Sequence, residues 1–486
     1  MSLSGALSNA LSGLTANSRA AALVASNIAN ATTESYGRRS LDLSSRPAGT
    51  SGGVSIDRVS RNVDLAVLSD RRLSDAQAGF AGDMQTFASR IEDLLGTSDA
   101  AGSLTGRFSA FENALLSAAS DPSSTQRLQS VALAAEDFTG TLNRISDEIQ
   151  LARGDADRAI AGQVATLNTA LGRVKALNAA IADRTLRDGD PSPLLDERQR
   201  VIDGISAIVP LRTVARDDGA LALYAASGTV LLDPTIHSEP VEIGFTAQDP
   251  VTAWMTLDNA LLSGLTLGGV PVNSSNEGPL GGGTLGAQFQ IRDTVAPDMQ
   301  AALDGIARDL IERFAPGGPD STLAATDSGL FTDGGAAFDA LDETGLAGRI
   351  SLNPLVDPGG TGTWRLRDGL GAASQGDVGD ARLLQAYSDA LESLEVPGST
   401  SLGTGASSFG QHVADFYSAI SAARLRADGE QSFGAAQNTA LRELELSKGV
   451  DTDAELQDLM RIEQQYAANA RVISTVDELM QTLLTI

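Results

Sequence analysis

LSGLTANSRAAALVASNIANATTESYGRRS, Leu11 to Ser40, is the stretch on which the reading of the fold turns. Around and within it, Leu7, Leu11, Leu14, Ala21, Ala25 and Ile28 recur at intervals of three, four or seven residues, which places them on one stripe of a helix over residues 3–30. The stripe is narrow and rich in alanine, closer to a coiled-coil seam than to the broad face of a core helix. After Asn30 the period fails. RRSLDLSSRPAGTSGGVSIDRVSRN then alternates around a Pro/Gly-rich centre, as a β-hairpin over 38–62 would. Chain ends fray unless they are docked, and burying one leucine is worth about 1.5–3 kcal/mol. An end this apolar needs a partner.

The far end mirrors the first. In VDTDAELQDLMRIEQQYAANARVISTVDELMQTLLTI, Val450 to Ile486, Leu459, Ile462, Tyr466, Ile473, Val476, Met480 and Leu483 repeat at the same spacings. Thr452 followed three residues later by Glu455 predicts a capping box at the start of this helix. At 1.5 Å per residue, about thirty residues span roughly 45 Å. The two seams are expected to pair with each other, with other subunits, or with a protein that holds them before assembly.

Between the ends the helical period returns over Val63–Leu95 and again over Leu104–Val209. In SPLLDERQRVIDGISAIV, Ser192 is placed to cap a helix and Pro193 suits its first turn, with Leu195, Ile202, Ile205 and Val209 on one face. Such long alanine-rich helices predict a bundle that forms an elongated shaft. Residues 211–283 change character: ALALYAA and TVLLD are β-like and are punctuated by Gly, Pro, Asn and Asp. A helix is expected over Asp293–Phe314, a second small β-containing module over 316–375, and helices again from near Asp380. The predicted fold is mainly α with β insert domains, elongated and multi-domain. Residues 1–37 pair with 452–486; 63–209, 284–315 and 376–451 form the shaft; 210–283 and 316–375 form outer modules.

With 486 residues, 42% hydrophobic and 20% charged, the chain has the composition of a folded protein. Its net charge of −27 argues against nucleic acid and anionic membrane as partners. No apolar run reaches the length of a membrane span, and the first basic residue, Arg19, comes too late for a secretory signal. The absence of cysteine removes disulfides, thiol catalysis and cysteine-ligated zinc. Histidine occurs only at His237 and His412, neither with a second histidine nearby, so no metal or cofactor is expected.

Catalytic patterns match only formally. GGGTLG (Gly281–Gly286) fits a dinucleotide fingerprint, but a polar loop precedes it where a buried strand is required, and a flexible connector is expected. GTSGG (Gly49–Gly53) fits G-x-S-x-G around Ser51, without the strand and helix of a nucleophile elbow, and reads as a hairpin tip. Asp196 and Glu197 are neighbours on a helix, point about 100° apart, and read as a solvated face.

The first stretch resembles the N-terminal motif of the bacterial flagellar axial proteins, which include rod, hook and hook-associated members. Gly13-Leu14 and Ala16 match its start, Ser26 to Asn30 its central SN-I-AN, and Thr33, Tyr36 and Arg38 its end. Ser35 stands where that family has glycine, and Glu34 where it often has proline, so a different turn is expected there. YAANARV (Tyr466–Val472) and DELMQTLLTI resemble the hook-associated branch most closely, as do PLLDERQRVIDGIS and GGTLGAQFQIRDTVAPDMQAALDGIARDL. The resemblance implies a structural subunit without catalysis, exported unfolded through the flagellar type III apparatus without a cleaved signal, that assembles in a ring between hook and filament. Its partners would be copies of itself, the hook protein, the second junction protein, and a chaperone on the C-terminal helix. The implied assembly residues are the stripe positions of both ends together with Asn27, Asn30 and Asn469. Two alternatives stand beside this reading. One is another axial protein, either hook or second junction protein. The other is a secreted peptidoglycan hydrolase on an axial scaffold, which would need two carboxylates about 5–9 Å apart in a cleft.

Overall fold

The computed structural model describes residues 3–46, 52–97, 100–187, 189–216 and 219–485. The chain begins with helix α1 (Leu3–Ala29), turns, and forms the antiparallel hairpin β1 (Arg38–Ser45) and β2 (Val54–Asn62), with a bulge between Asp42 and Leu43. Gly49 to Ser51, the formal G-x-S segment, lies outside the described residues. Helices α2 (Leu65–Leu95), α3 (Leu104–Ser120), α4 (Thr125–Leu186) and α5 (Ser192–Ser206) follow.

Helix α4 is the spine. Its 62 residues extend roughly 93 Å at 1.5 Å per residue. Leu128, Val131, Ala135, Phe138, Leu142 and Ile145 begin a buried stripe that keeps a three-four spacing as far as Ile181. The stripe serves two cores in succession. The first is aromatic: Phe108 packs on Phe409 with ring centroids 5.1 Å apart, and Phe314 on Phe331 at 5.3 Å. Such edge-on pairs add to the area buried. The second core gathers Ile160, Leu167, Leu171 and Val174 of α4 with Ile202 of α5, Leu223 and Phe289.

Two three-stranded antiparallel sheets lie between α5 and the next helix: β3 (Leu211–Ala215), β4 (Leu221–Ala225) and β5 (Val230–Leu232), then β6 (Ile243–Gly244), β7 (Thr266–Leu267) and β8 (Val270–Pro271). Helix α6 (Gly283–Gln290) runs through a π-turn, Ile291–Val295, into α7 (Ala296–Arg313). The helix read over 293–314 therefore starts about ten residues earlier. GGGTLG is not a flexible connector: a helix opens inside it, and a Cβ on Gly283, whose φ is 64°, would lie 2.3 Å from the Ile208 carbonyl oxygen. Only glycine permits both that angle and that approach. A loop and not a buried strand precedes it, so the dinucleotide reading still fails.

The pair β9 (Phe331–Asp333) and β10 (Ile350–Leu352) forms the sheet of the later insert, followed by α8 (Arg365–Asp368) and α9 (Arg382–Glu392). Arg313 clasps the end of α9, donating to the carbonyls of Ala390 at 2.7 Å and Ser393 at 2.9 Å. Helix α10 (Phe409–Ser447) starts in the aromatic core and then packs antiparallel along α2, and α11 (Thr452–Leu484) ends the described chain. The fold is mainly α with small β modules, and no helix among the described residues is long and apolar enough to cross a membrane.

Two helix starts differ from the sequence reading. Ser192 does not cap α5: Asp190 Oδ1 accepts from the Ser192 N–H at 2.9 Å, and the Ser192 hydroxyl is buried without a partner. A carboxylate there also complements the helix dipole. Helix α11 has no capping box, because Asp451 precedes Thr452 and accepts from the N–H groups of Asp453 and Ala454 at 3.0 and 3.1 Å. Glu455 is thereby released to point inward.

Candidate assembly interface and the polar junction beneath it

Helices α1 and α11 pack side by side. A Cβ on Gly13 would lie 2.7 Å from the Asn469 side chain, and Asn27 contacts Glu455. Moving up one helix moves the contact down the other, so the two ends of the chain are antiparallel.

The stripes divide between two environments. On α1 the buried residues are Ala10, Ala16, Val24 and Asn27, while Leu14, Ala21 and Ile28 are half-buried, as is Asn30 just beyond the helix, and Leu7, Leu11 and Ala25 are exposed. On α11, Ile462 and Val476 are buried, Leu459, Asn469 and Ile473 half-buried, and Tyr466, Met480 and Leu483 exposed. The helices meet over small residues and leave much of their leucine outside. Leu7 is 40% exposed, Leu11 56% and Leu483 59%. Exposed apolar side chains are aligned along one two-helix rod, which makes it the candidate surface for further contacts.

At the end of the rod nearest the shaft the chemistry becomes polar. Asn27, only 1% exposed, has all its capacity used. Its Nδ2 donates to the Arg39 carbonyl at 2.9 Å and to Glu455 Oε2 at 3.0 Å. Its Oδ1 accepts from the Arg39 N–H at 3.0 Å and the Tyr36 hydroxyl at 2.9 Å. One amide thus ties α1, the turn, β1 and α11 together. Glu455, fully buried, also takes the Arg38 guanidinium at 2.6 Å.

A second carboxylate organises the far side of the turn. Asp196 is buried, not solvated as its neighbour Glu197 is. It pairs with Arg39 and Arg61, each at 2.6 Å, and accepts from the Gly37 N–H at 3.1 Å. Its place on α5 explains this: Asp196, Gln199 and Asp203 form a polar stripe at three-four spacing, turned toward the hairpin and α2. The turn itself has Ser35 at φ 63°, the left-handed conformation in which glycine is favoured. The backbone adopts that conformation despite the side chain, and the Ser35 hydroxyl donates to Asp203 Oδ2 at 2.9 Å.

Asp203 carries the connection into the shaft. Its Oδ1 lies 2.6 Å from Arg71 and 2.7 Å from Arg72 of α2, and Arg71 also reaches Asp75 at 2.6 Å and Glu445 of α10 at 2.7 Å. Burial works against the Arg71 charge, yet Asp203, Asp75 and Glu445 together hold its pKa above the ordinary value. Burial raises Asp75 as well, but Asn438 and Arg71 outweigh it and keep the carboxyl low. Arg198 lacks such a partner. It donates to Asn178 and the Gly219 carbonyl, and burial, with Arg61 and Arg72 nearby, lowers it to about 10. A buried charge network of this kind fixes orientation, since each member left alone would be strongly destabilising.

Asn27 was readable from the sequence. Arg38 was visible as part of the same motif, while the roles of Glu455, Arg39, Arg61, Asp196 and Asp203 were not. The available signal was charge at seam spacing, as at Glu455, Leu459 and Ile462. His412 is buried at the start of α10 and His237 lies in a loop, far apart in sequence and in separate elements.

This arrangement can join, orient and be covered by other chains. Comparison with known proteins agrees. Residues 88–315 match the family described as the Flagellar hook-associated protein FlgK helical domain, and residues 446–486 match the Flagellar basal body rod FlgEFG protein C-terminal family. Flagellar hook-associated protein 1 of Bacillus subtilis is 24% identical, with 98% of this chain and 97% of that protein aligned. The Escherichia coli protein of the same name is 23% identical over the whole of both chains, and that of Salmonella typhimurium 26% identical over 58% of this chain and 51% of its own. A solved flagellar hook junction protein, FlgK from Burkholderia pseudomallei, superposes with a TM-score of 0.43 and 16% identity, covering 55% of this chain and 47% of that one. The chain is an axial structural protein of the bacterial flagellum. Within that class it is similar over its whole length to flagellar hook-associated protein 1.

Proposed function

We propose that this chain forms the junction zone between hook and filament, assembling through the α1–α11 rod. The observation that carries this reading is a paired set of chain ends that keep Leu7, Leu11, Tyr466, Met480 and Leu483 exposed. The similarity to proteins named flagellar hook-associated protein 1 supports it. On this reading 1–37 and 452–486 form the inner tube, and the modules over 210–283 and 316–375 face outward. Recognition is carried by helix faces, without catalysis. The partners are further copies of the chain, the hook protein below and the second junction protein above, with a chaperone on α11 before export through the type III apparatus to the cell exterior. Stripe residues that are exposed in the single chain become buried between copies.

Deleting the gene tests the reading. Complete hooks without filaments, with flagellin released into the medium, are the expected phenotype. Cells that lack hooks would reject the assignment, and normal filaments would reject the junction role altogether.

A further inference from the structure

Helix α10 is covered on one side only. Past Ile420, its last residue in the aromatic core, Ala427 and Gly434 are buried, and a Cβ on Gly434 would lie 3.5 Å from the Ala78 Cα of α2. The opposite side carries Arg426, Gly429, Phe433, Ala436, Ala440 and Glu443, all exposed. Their spacings alternate between three and four, as the a and d positions of a coiled coil do. Phe433 is 68% exposed, and along one flank of the stripe Leu425 is 68% and Leu446 62% exposed. Large apolar side chains gathered on one face make it the candidate surface for a further helix.

The order of residues along the stripe specifies that helix. About a centre between Gly434 and Ala435, Phe433 mirrors Ala436, Gly429 mirrors Ala440, and Arg426 mirrors Glu443. Two such helices laid antiparallel about this centre set every a position against a d position. Each Phe433 ring then meets a small residue, Gly429 meets Ala440 where the backbones can approach, and each Arg426 meets a Glu443. Leu425 of one copy falls beside Leu446 of the other.

The charges favour a copy of this chain as the occupant. Arg424 and Arg442, off the stripe, are already paired with Glu92 and Asp75 of α2. Arg426 and Glu443, on the stripe, form no ion pair among the described residues. Within one helix they stand roughly 26 Å apart, at 1.5 Å per residue, and cannot reach each other. One unpaired cation and one unpaired anion, placed symmetrically about the centre, make the surface complementary to itself.

We propose that two copies of this chain associate through the outer faces of α10, antiparallel, about a twofold axis between Gly434 and Ala435. The contact is isologous, so it closes at two copies and cannot extend into a ring. It belongs to the chain before incorporation into an axial structure, and it does not depend on the α1–α11 rod.

The chain contains no cysteine, so introduced thiols report the register directly. Gly429→Cys adds a side chain into open space, and Ala440→Cys is a small change on the same exposed face. Under mild oxidation the full chain with both substitutions should form a covalent dimer. Neither single variant should, because like positions lie roughly 16 Å apart along the pair, at 1.5 Å per residue. A ladder of higher species from the double variant, or as much dimer from either single one, overturns the twofold arrangement.

Sedimentation equilibrium gives the second readout. The unsubstituted chain should dimerise with a Kd of about 1–100 µM, as suits a contact made by one pair of helices. Arg426→Glu and Glu443→Arg should each weaken it about tenfold or more, and the two together should restore it, with melting temperatures unchanged. Restoration by paired charge reversal is an outcome that neither misfolding nor association through the rod produces. Monomer at every concentration up to about 500 µM overturns the proposal, and so does a dimer indifferent to both reversals.

Discussion

The Asn27 amide meets the Glu455 carboxylate at 3.0 Å across 428 residues of sequence. That single contact closes the chain on itself, because Asn27 also holds both backbone groups of Arg39. Asn27→Ala leaves a buried carboxylate and a strand end with unmet hydrogen bonds, a loss of about 2–4 kcal/mol in docking the rod. Hydrogen exchange should quicken over residues 20–40 and 452–470 and stay unchanged in α4. Uniform acceleration through α4 would count against a local role.

Asp196 neutralises two arginines in a space with little water. Asp196→Ala is expected to cost about 3–5 kcal/mol, because Arg39 and Arg61 are left buried together. Asp196→Asn, which keeps part of the hydrogen bonding, should lose less. Chemical denaturation of the two variants side by side measures the difference, and equal losses would show that charge is not the cause.

At the turn, two effects oppose each other. Ser35→Gly relieves the left-handed backbone angle but loses the hydroxyl bond to Asp203, so a net change within about 1 kcal/mol is expected. Ser35→Val gains nothing and carries the full strain of a β-branched residue at positive φ, destabilising by about 2 kcal/mol. Thermal melts of the two variants separate the terms.

Asp304 gives the fold a pH signature. Its carboxylate accepts from the N–H groups of Gly345 at 2.7 Å and Ala347 at 2.8 Å, yet burial raises its pKa from 3.8 to about 6. Between those values the folded chain holds a proton that the unfolded chain has lost. The Asp304 contribution to stability therefore falls as pH rises from about 4 to about 6, by on the order of 3 kcal/mol. Asp304→Asn should flatten the unfolding free energy over that window relative to the unsubstituted chain. An unchanged slope would place the proton elsewhere.

Gly13 sets the closeness of the rod. A Cβ there already meets the Asn469 side chain at 2.7 Å, so Gly13→Leu must push the helices apart while leaving the shaft intact. The expected result is a purified chain with an unchanged shaft melting transition that does not restore motility to a deletion strain. Gly13→Ala, which Asn469 can accommodate by rotating, should restore it in part.

Much of this architecture could be read from period alone. The stripes of α1, α4 and α11 are long and regular, and apolar spacing is the strongest signal a sequence carries. Helix starts were less visible, since Asp190 takes the N–H of Ser192 itself and Asp451 takes the Ala454 N–H that Thr452 would cap. The polar junction was hidden for a different reason. Asp196 and Glu197 are adjacent acidic residues of similar chemistry, and only the arrival of Arg39 and Arg61 from another element decides that one is buried and the other wet. Which face of α1 meets α11 was hidden too: the leucine stripe looked like the pairing seam, and small residues, Ala10, Gly13 and Ala16, line the contact instead.

The antiparallel rod has a mechanical corollary. Both its helices enter the body of the molecule at the same end, through the turn at Ser35 and through the link before Asp451. A pull applied to the free end of the rod is therefore shared by the two helices as parallel tension and puts little shear on the seam between them. The load arrives instead where Asn27, Glu455, Asp196 and Asp203 bind, so this buried ionic cluster lies at the point of greatest stress. Sideways force has no such protection, and it would peel α1 from α11 residue by residue starting from their free tips.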